Sequence, residues 1–109
     1  MNRDNASILD IDAACRRALE FSAGLTKAEL AANEEKRSAI IYQLIIIGEA
    51  TKRLSETYRS EHPELPWRAM AGMRDVMAHQ YDKININTLW DVVSSEIPKL
   101  VELIAPLRP

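Results

Sequence analysis

Glycine is scarce in this chain, with 3 among 109 residues, and aromatic side chains make up 6%. Glycines this few and far apart exclude a Walker or dinucleotide-binding loop, which needs several together so that the backbone can approach a phosphate. Cys15 is the only cysteine. That excludes an intrachain disulfide and a cysteine-based zinc site, and leaves Cys15 as a small buried apolar residue. The two histidines, His62 and His79, have neither HxxxH nor HExxH spacing, so no metal site and no cofactor is expected. No apolar run reaches the ~20 residues of a membrane span. The N-terminal MNRDNASILD lacks the apolar core of a signal peptide, which points to the cytoplasm with no membrane attachment.

What is present is helical in kind. Hydrophobic residues form 47% and charged residues 28% of the chain, proportions of a folded domain rather than a disordered one. Ala, Leu, Glu, Lys and Arg dominate, with little β-branched alternation, so an all-β fold has no support. A chain of this length is expected to form a single domain over residues 1–109. The net charge of -2 gives no global attraction for nucleic acid. The average hides a basic middle: residues 51–74 carry 5 basic and 3 acidic side chains, and Arg74 closes that block.

Along the chain, Ser7 with Asp10 suits the start of a first helix that carries Ile8, Ile11, Cys15, Ala18 and Leu19 at helical spacing and stops before Gly24. Thr26 and Glu29 have the spacing of a capping box. A second helix follows, with a break near Asn33, and runs to about Tyr58. Ile40, Leu44, Ile47, Thr51 and Leu54 form one stripe on it, and Ile41, Ile45 and Gly48 a second. Two stripes mean burial against more than one neighbour, as a bundle's central helix or as part of a dimer contact. Gly48 permits close helix approach, and Glu49 with Arg53 has i, i+4 spacing for a surface pair.

HPELPW, His62 to Trp67, is a proline-punctuated connection with His62 as a solvated loop residue and Pro66 at the first turn of the next helix. Asn87 caps the last helix, and Pro98 predicts a kink or restart near Ser95. The sum is an all-α bundle of four or five helices.

The chemistry concentrates in GMRDVMAHQY, Gly72 to Tyr81. On a helix, Met73, Val76, Met77 and Gln80 share one sector, where the two methionines and the valine can face the core, while Arg74, Asp75, Ala78, His79 and Tyr81 share the other and stay accessible. Arginine is a permanent cation with a fork of donors matched to phosphate oxygens. Histidine exchanges protons near neutral pH. Together they suit metal-free phosphodiester cleavage, with the RNA 2′-hydroxyl as nucleophile. Spacing alone also fits an ordinary solvated face, with Asp75 and His79 as an i, i+4 pair and Tyr81 as an amphipathic boundary residue.

RDVMAHQY, with Arg74, His79 and Tyr81, resembles the R-x4-H-x-Y motif of the HepT-like family within the HEPN superfamily. IIGEATKRLSE before it, HPELPWRAMAGMR leading into it, and the later LWDVV and EIPKL resemble the family in content and order. The likeness covers about residues 7 to 103.

This resemblance implies a HEPN-like, homodimeric, metal-independent endoribonuclease, the toxin of a type VII-like toxin-antitoxin pair. It implies Arg74 and His79 as the catalytic pair and RNA as the substrate. Its implied partner is a minimal nucleotidyltransferase antitoxin that transfers AMP onto Tyr81 and silences the enzyme. Asp75 departs from the asparagine common at that position in the family. A carboxylate there suits a supporting role, orienting His79, and it also repels an incoming phosphate. Two other functions fit the residues: a non-catalytic helical subunit that binds nucleotide or a nucleotidyltransferase, and a structural protein with no site.

Overall fold

The computed structural model describes residues 2–79 and 83–109. Seven α-helices are present among them: α1 (Arg3–Ser22), α2 (Lys27–Ala32), α3 (Glu34–Arg53), α4 (Glu56–Glu61), α5 (Trp67–His79), α6 (Ile86–Asp91) and α7 (Ile97–Ile104). A π-helical turn, Val92–Glu96, joins α6 to α7, and a 3-10 turn, Ala105–Leu107, ends the rod. The all-α bundle is therefore built of four long rods, α1, α3, α5 and α6 with α7, together with the short α2 and α4. None of the described helices is long and apolar enough to cross a membrane.

Local chemistry sets the helix boundaries. α1 begins earlier than the Ser7 start, because Asn2 caps it by accepting from the Asn5 N-H at 2.7 Å. Ser7 and Asp10 are instead interior, with Ser7 buried and Asp10 paired to Arg53. Gly24, with φ of 76°, takes the left-handed turn after the helix. The Thr26–Glu29 capping box forms as expected, and Asn33 both ends α2 and caps α3.

The second helix does not reach Tyr58. It ends at Arg53, since Leu54 is extended and the next N-H, that of Ser55, donates to Asp4 of α1 at 2.9 Å. Ser55 Oγ donates to Asp4 at 2.8 Å and accepts from the Tyr58 N-H, so one hydroxyl ties α1 to the start of α4. Asn85 rather than Asn87 caps the last rod, accepting from the Asn87 N-H. The break expected near Ser95 takes the form of the π turn. Pro98 has no N-H and its ring would meet the Ser94 carbonyl, and the wider turn, in which the Ile97 N-H donates to Val92, accommodates it.

α3 lies at the centre, packed by α1 on one side and α5 on another, while α7 packs on α1. Its first stripe, Ile40, Leu44, Ile47, Thr51 and Leu54, is buried throughout. Thr51 spends its hydroxyl on the Ile47 carbonyl at 2.7 Å, which makes it neutral to the core. The second stripe is largely covered within the chain. Ile41 is 2% exposed, Gly48 is buried and Ile45 is partly so. At Gly48 the cover is α5, which crosses directly over it. The large apolar side chains left exposed are elsewhere: Tyr42, Val76 and Leu103. Cys15 is buried, as its surroundings in the α1 stripe predict, and burial pushes its thiol pKa up to about 12.

Candidate functional site

The site rests on how α5 is held. Trp67, its first residue, donates its indole N-H to the carbonyls of His62 at 2.8 Å and Arg59 at 3.1 Å. Those carbonyls lie at the C-terminal end of α4, so one side chain fixes the angle between two helices. His62 is not a solvated loop residue. It is the half-buried C-cap of α4, stacked 4.5 Å from the Tyr58 ring and 3.5 Å from Glu64. Met70 and Met77 then bury toward the core, with Met73 partly buried beside them.

The crossing of α3 and α5 is the tightest approach near the site. A Cβ built on Gly48 would stand 2.4 Å from Arg74 Cβ and 2.5 Å from its backbone nitrogen. No side chain fits there, so the glycine sets the distance between the helices and the height at which Arg74 emerges.

Arg74 leaves this contact half-buried, and its Nε donates to Glu49 Oε1 at 2.8 Å. Nη1 approaches Asp75 Oδ1 at 3.3 Å, and the same carboxylate oxygen accepts from Lys52 Nζ at 3.0 Å. Four charges from two helices thus form one chain: Glu49, Arg74, Asp75, Lys52. Glu49 foremost, then Asp75, holds the Arg74 pKa above its ordinary value, so the cation is secure. Lys52 foremost, with help from Arg74, holds the Asp75 carboxyl below the usual carboxylate range.

Three readings of the sequence change here. Glu49 pairs with Arg74 and not with Arg53, which reaches Asp10 at 3.2 Å instead. Asp75 joins Lys52 and Arg74; among the described residues it makes no pair with His79. Val76 does not face the core but is 43% exposed, between Asp75 and Met77.

His79 is the last residue of α5 and is exposed, as are Asp75 and Ala78. Arg74 and His79 therefore belong to one helix and both reach solvent, as the sector split requires. Tyr81 and Gln80 lie outside the described residues. Among the described residues no cluster of three metal-ligating side chains occurs.

Glu49 and Lys52 are the site residues that sequence reasoning missed. The signal was present: on α3 they stand at i, i+3 with charges opposite to those of the adjacent Arg74 and Asp75. It becomes readable only once Gly48 is known to pair the two helices at that level.

Comparison with known proteins shows the family. A family model described as "Ribonuclease HepT-like" matches residues 11–107. The chain is 35% identical over 109 residues to "Probable ribonuclease HepT" of Thermococcus cleftensis, covering 99% of each chain. It is 33% identical over 93 residues to a Methanocaldococcus jannaschii protein named "Putative RNase MJ0127", covering 85% of this chain and 77% of that one. A Caldanaerobacter subterraneus protein named "Putative RNase TTE0752" is 34% identical over 86 residues, covering 79% and 77%. No solved structure matches significantly.

Proposed function

This chain belongs to the HepT-like ribonuclease family, and from that premise we propose that it is a metal-independent endoribonuclease whose working groups are Arg74 and His79. The observation that carries the reading is the pinned Arg74 guanidinium on the same helix as the exposed His79. A phosphodiester drawn to Arg74 meets a helix that also carries a proton-exchanging group at its exposed end.

In the reaction, the RNA 2′-oxygen attacks phosphorus while a histidine takes its proton. The bond to the 5′-oxygen breaks, that oxygen receives a proton, and a 2′,3′-cyclic phosphate and a 5′-hydroxyl result. Arg74 stabilises the extra charge on the equatorial oxygens at the transition state. The step needs both a base and an acid, and each protomer offers one histidine, His79, in this region among the described residues. A twofold homodimer supplies two copies of Arg74 and His79 to one cleft.

Within this reading the chain acts in the cytoplasm as the toxin of a pair, and a nucleotidyltransferase antitoxin silences it. The Tyr81 phenol oxygen attacks the α-phosphorus of ATP, the bond to the β-phosphate bridge breaks, and pyrophosphate leaves. The phenol proton passes to a base of the partner enzyme. The added phosphate, carried seven positions after Arg74 in the motif, brings negative charge that repels RNA.

The test is cleavage of RNA in the presence of a chelator. His79→Ala is expected to lose on the order of 100-fold or more in rate, and mixed His79→Ala and Arg74→Ala chains should recover part of it if the site is shared. A His79→Ala homodimer that cuts as well as the parent removes the assignment. Binding of RNA without cutting favours a non-catalytic subunit instead. Intact mass after incubation with the partner and ATP should gain AMP in the parent and not in Tyr81→Phe.

A further inference from the structure

An arginine that must stabilise a transition state is useful only if its fork points one way. A guanidinium on a half-exposed helix surface ordinarily samples many rotamers, and the residue beside it here is a carboxylate able to capture it. Two side chains of α3 oppose both tendencies. Glu49 takes Nε at 2.8 Å, the donor at the base of the fork, which fixes the plane of the group. Lys52 takes Asp75 at 3.0 Å, nearer than the 3.3 Å contact between Asp75 and Arg74 Nη1. Nη2 has no partner among the described residues. Both α3 residues are placed by Gly48, one and four positions before them, at the point where α5 touches α3.

We propose that Glu49 and Lys52 are positioning residues of the ribonuclease site: Glu49 aims the Arg74 fork, and Lys52 draws Asp75 away from it. The proposal rests on the reading of Arg74 as the phosphate-stabilising group. It also accounts for a carboxylate at position 75 in a site built for an anion, since the charge of Asp75 is met by Lys52 before a phosphate arrives. Neither residue touches the substrate; each acts through its partner on α5.

The experiment compares the full-length parent with Glu49→Ala, Glu49→Gln, Lys52→Met and Lys52→Met/Asp75→Asn. It records kcat and KM on RNA, and the Kd of a 2′-O-methyl RNA that cannot be cleaved. Glu49→Ala should lower kcat roughly 10- to 100-fold through misaim of the fork, while Kd stays the same or tightens because a negative charge has been removed. Glu49→Gln keeps an oxygen acceptor for Nε and should restore most of kcat. On an Arg74→Ala background, Glu49→Ala should cost nothing more.

Lys52→Met should weaken 2′-O-methyl RNA binding about fivefold at low salt and much less at high salt, and Asp75→Asn in the same chain should return it to the parent's value. The Arg74 Nε-H NMR resonance, identified through Arg74→Lys, should persist in the parent and in Glu49→Gln and broaden in Glu49→Ala. Equal kcat in Glu49→Ala and the parent, or further loss on the Arg74→Ala background, overturns the proposal. A parent that binds RNA without cutting overturns the ribonuclease reading alone, and the positioning roles are then decided by the resonance and the binding series. A parent that neither binds nor cuts overturns both.

Discussion

α3 meets its two main neighbours in different ways. Against α1, the centre of the contact is aliphatic, with Ile8, Ile11, Ala14, Cys15 and Ala18 of α1 all fully buried and the exposed Asp10–Arg53 pair at its rim. Against α5, it narrows to a glycine under Arg74 and continues outward as a run of charges. The first contact gains from area removed from water, which tolerates small changes of angle. The second gains little from area and depends on position, because the ion pairs are half-exposed and worth little singly. The α1 side therefore carries stability and the α5 side carries geometry.

The largest effect expected on this contrast is in the aliphatic contact. Ile11→Ala, at a site with 0% exposure, should destabilise the chain by about 2–5 kcal/mol, read from chemical denaturation, and should leave kcat per folded molecule near the parent's. If it lowers kcat in the folded protein as much as Glu49→Ala does, the division between the two contacts fails.

Gly48→Ala sharpens the other side. Alanine is the better helix former, yet its methyl would meet Arg74 at 2.4 Å, so a net loss of about 1–3 kcal/mol is expected. The activity of the remaining folded protein should fall more than its stability, since the methyl lifts Arg74 away from Glu49. A stabilised variant would show that the helices are free to separate at no cost.

Ser55→Ala removes the hydroxyl that caps α4 and also donates to Asp4. A loss of about 1 kcal/mol is expected, measured by denaturation, with kcat unchanged because the tie lies at the α1 end of the fold.

The smallest effect is in acid. Asp4 has its carboxyl held below the ordinary 3.8 by the Ser55 backbone N-H and hydroxyl, and Asp75 is held below 3.8 by Lys52. A depressed carboxyl contributes stability that is fully present above its unfolded pKa and lost as pH falls through the folded one. The melting temperature should therefore be flat from neutral pH down to about 4 and decline below it, with a shallower decline in Asp4→Asn. A decline that begins well above that range would point to other groups.

Much of this architecture was readable from local signals. The capping box at Thr26, the break at Asn33, the buried stripe from Ile40 to Leu54 and the break before Pro98 each depend on residues within a few positions of one another. What was not readable depends on partners far along the chain. α3 ends at Arg53 because Asp4 claims the N-H of Ser55, 51 residues away. Glu49 prefers Arg74, 25 residues away, to the nearer Arg53. Gly48 signals close approach, but not which helix approaches, and so the spacing leaves the second stripe open between bundle core and dimer contact, while the fold places α5 over Gly48. At the site, the motif located Arg74 and His79, and only the crossing of α3 and α5 could add Glu49 and Lys52.

The indole of Trp67 gives this fold a built-in optical reporter. It is 8% exposed and bonded to two carbonyls at the end of α4, whereas the other tryptophan, Trp90, is only half-buried on α6. Replacing Trp90 with phenylalanine would leave a single tryptophan at the root of the helix that bears Arg74 and His79. Any event that tilts α5, such as docking of RNA or attachment of a nucleotide, would then alter the emission of an unlabelled protein in real time.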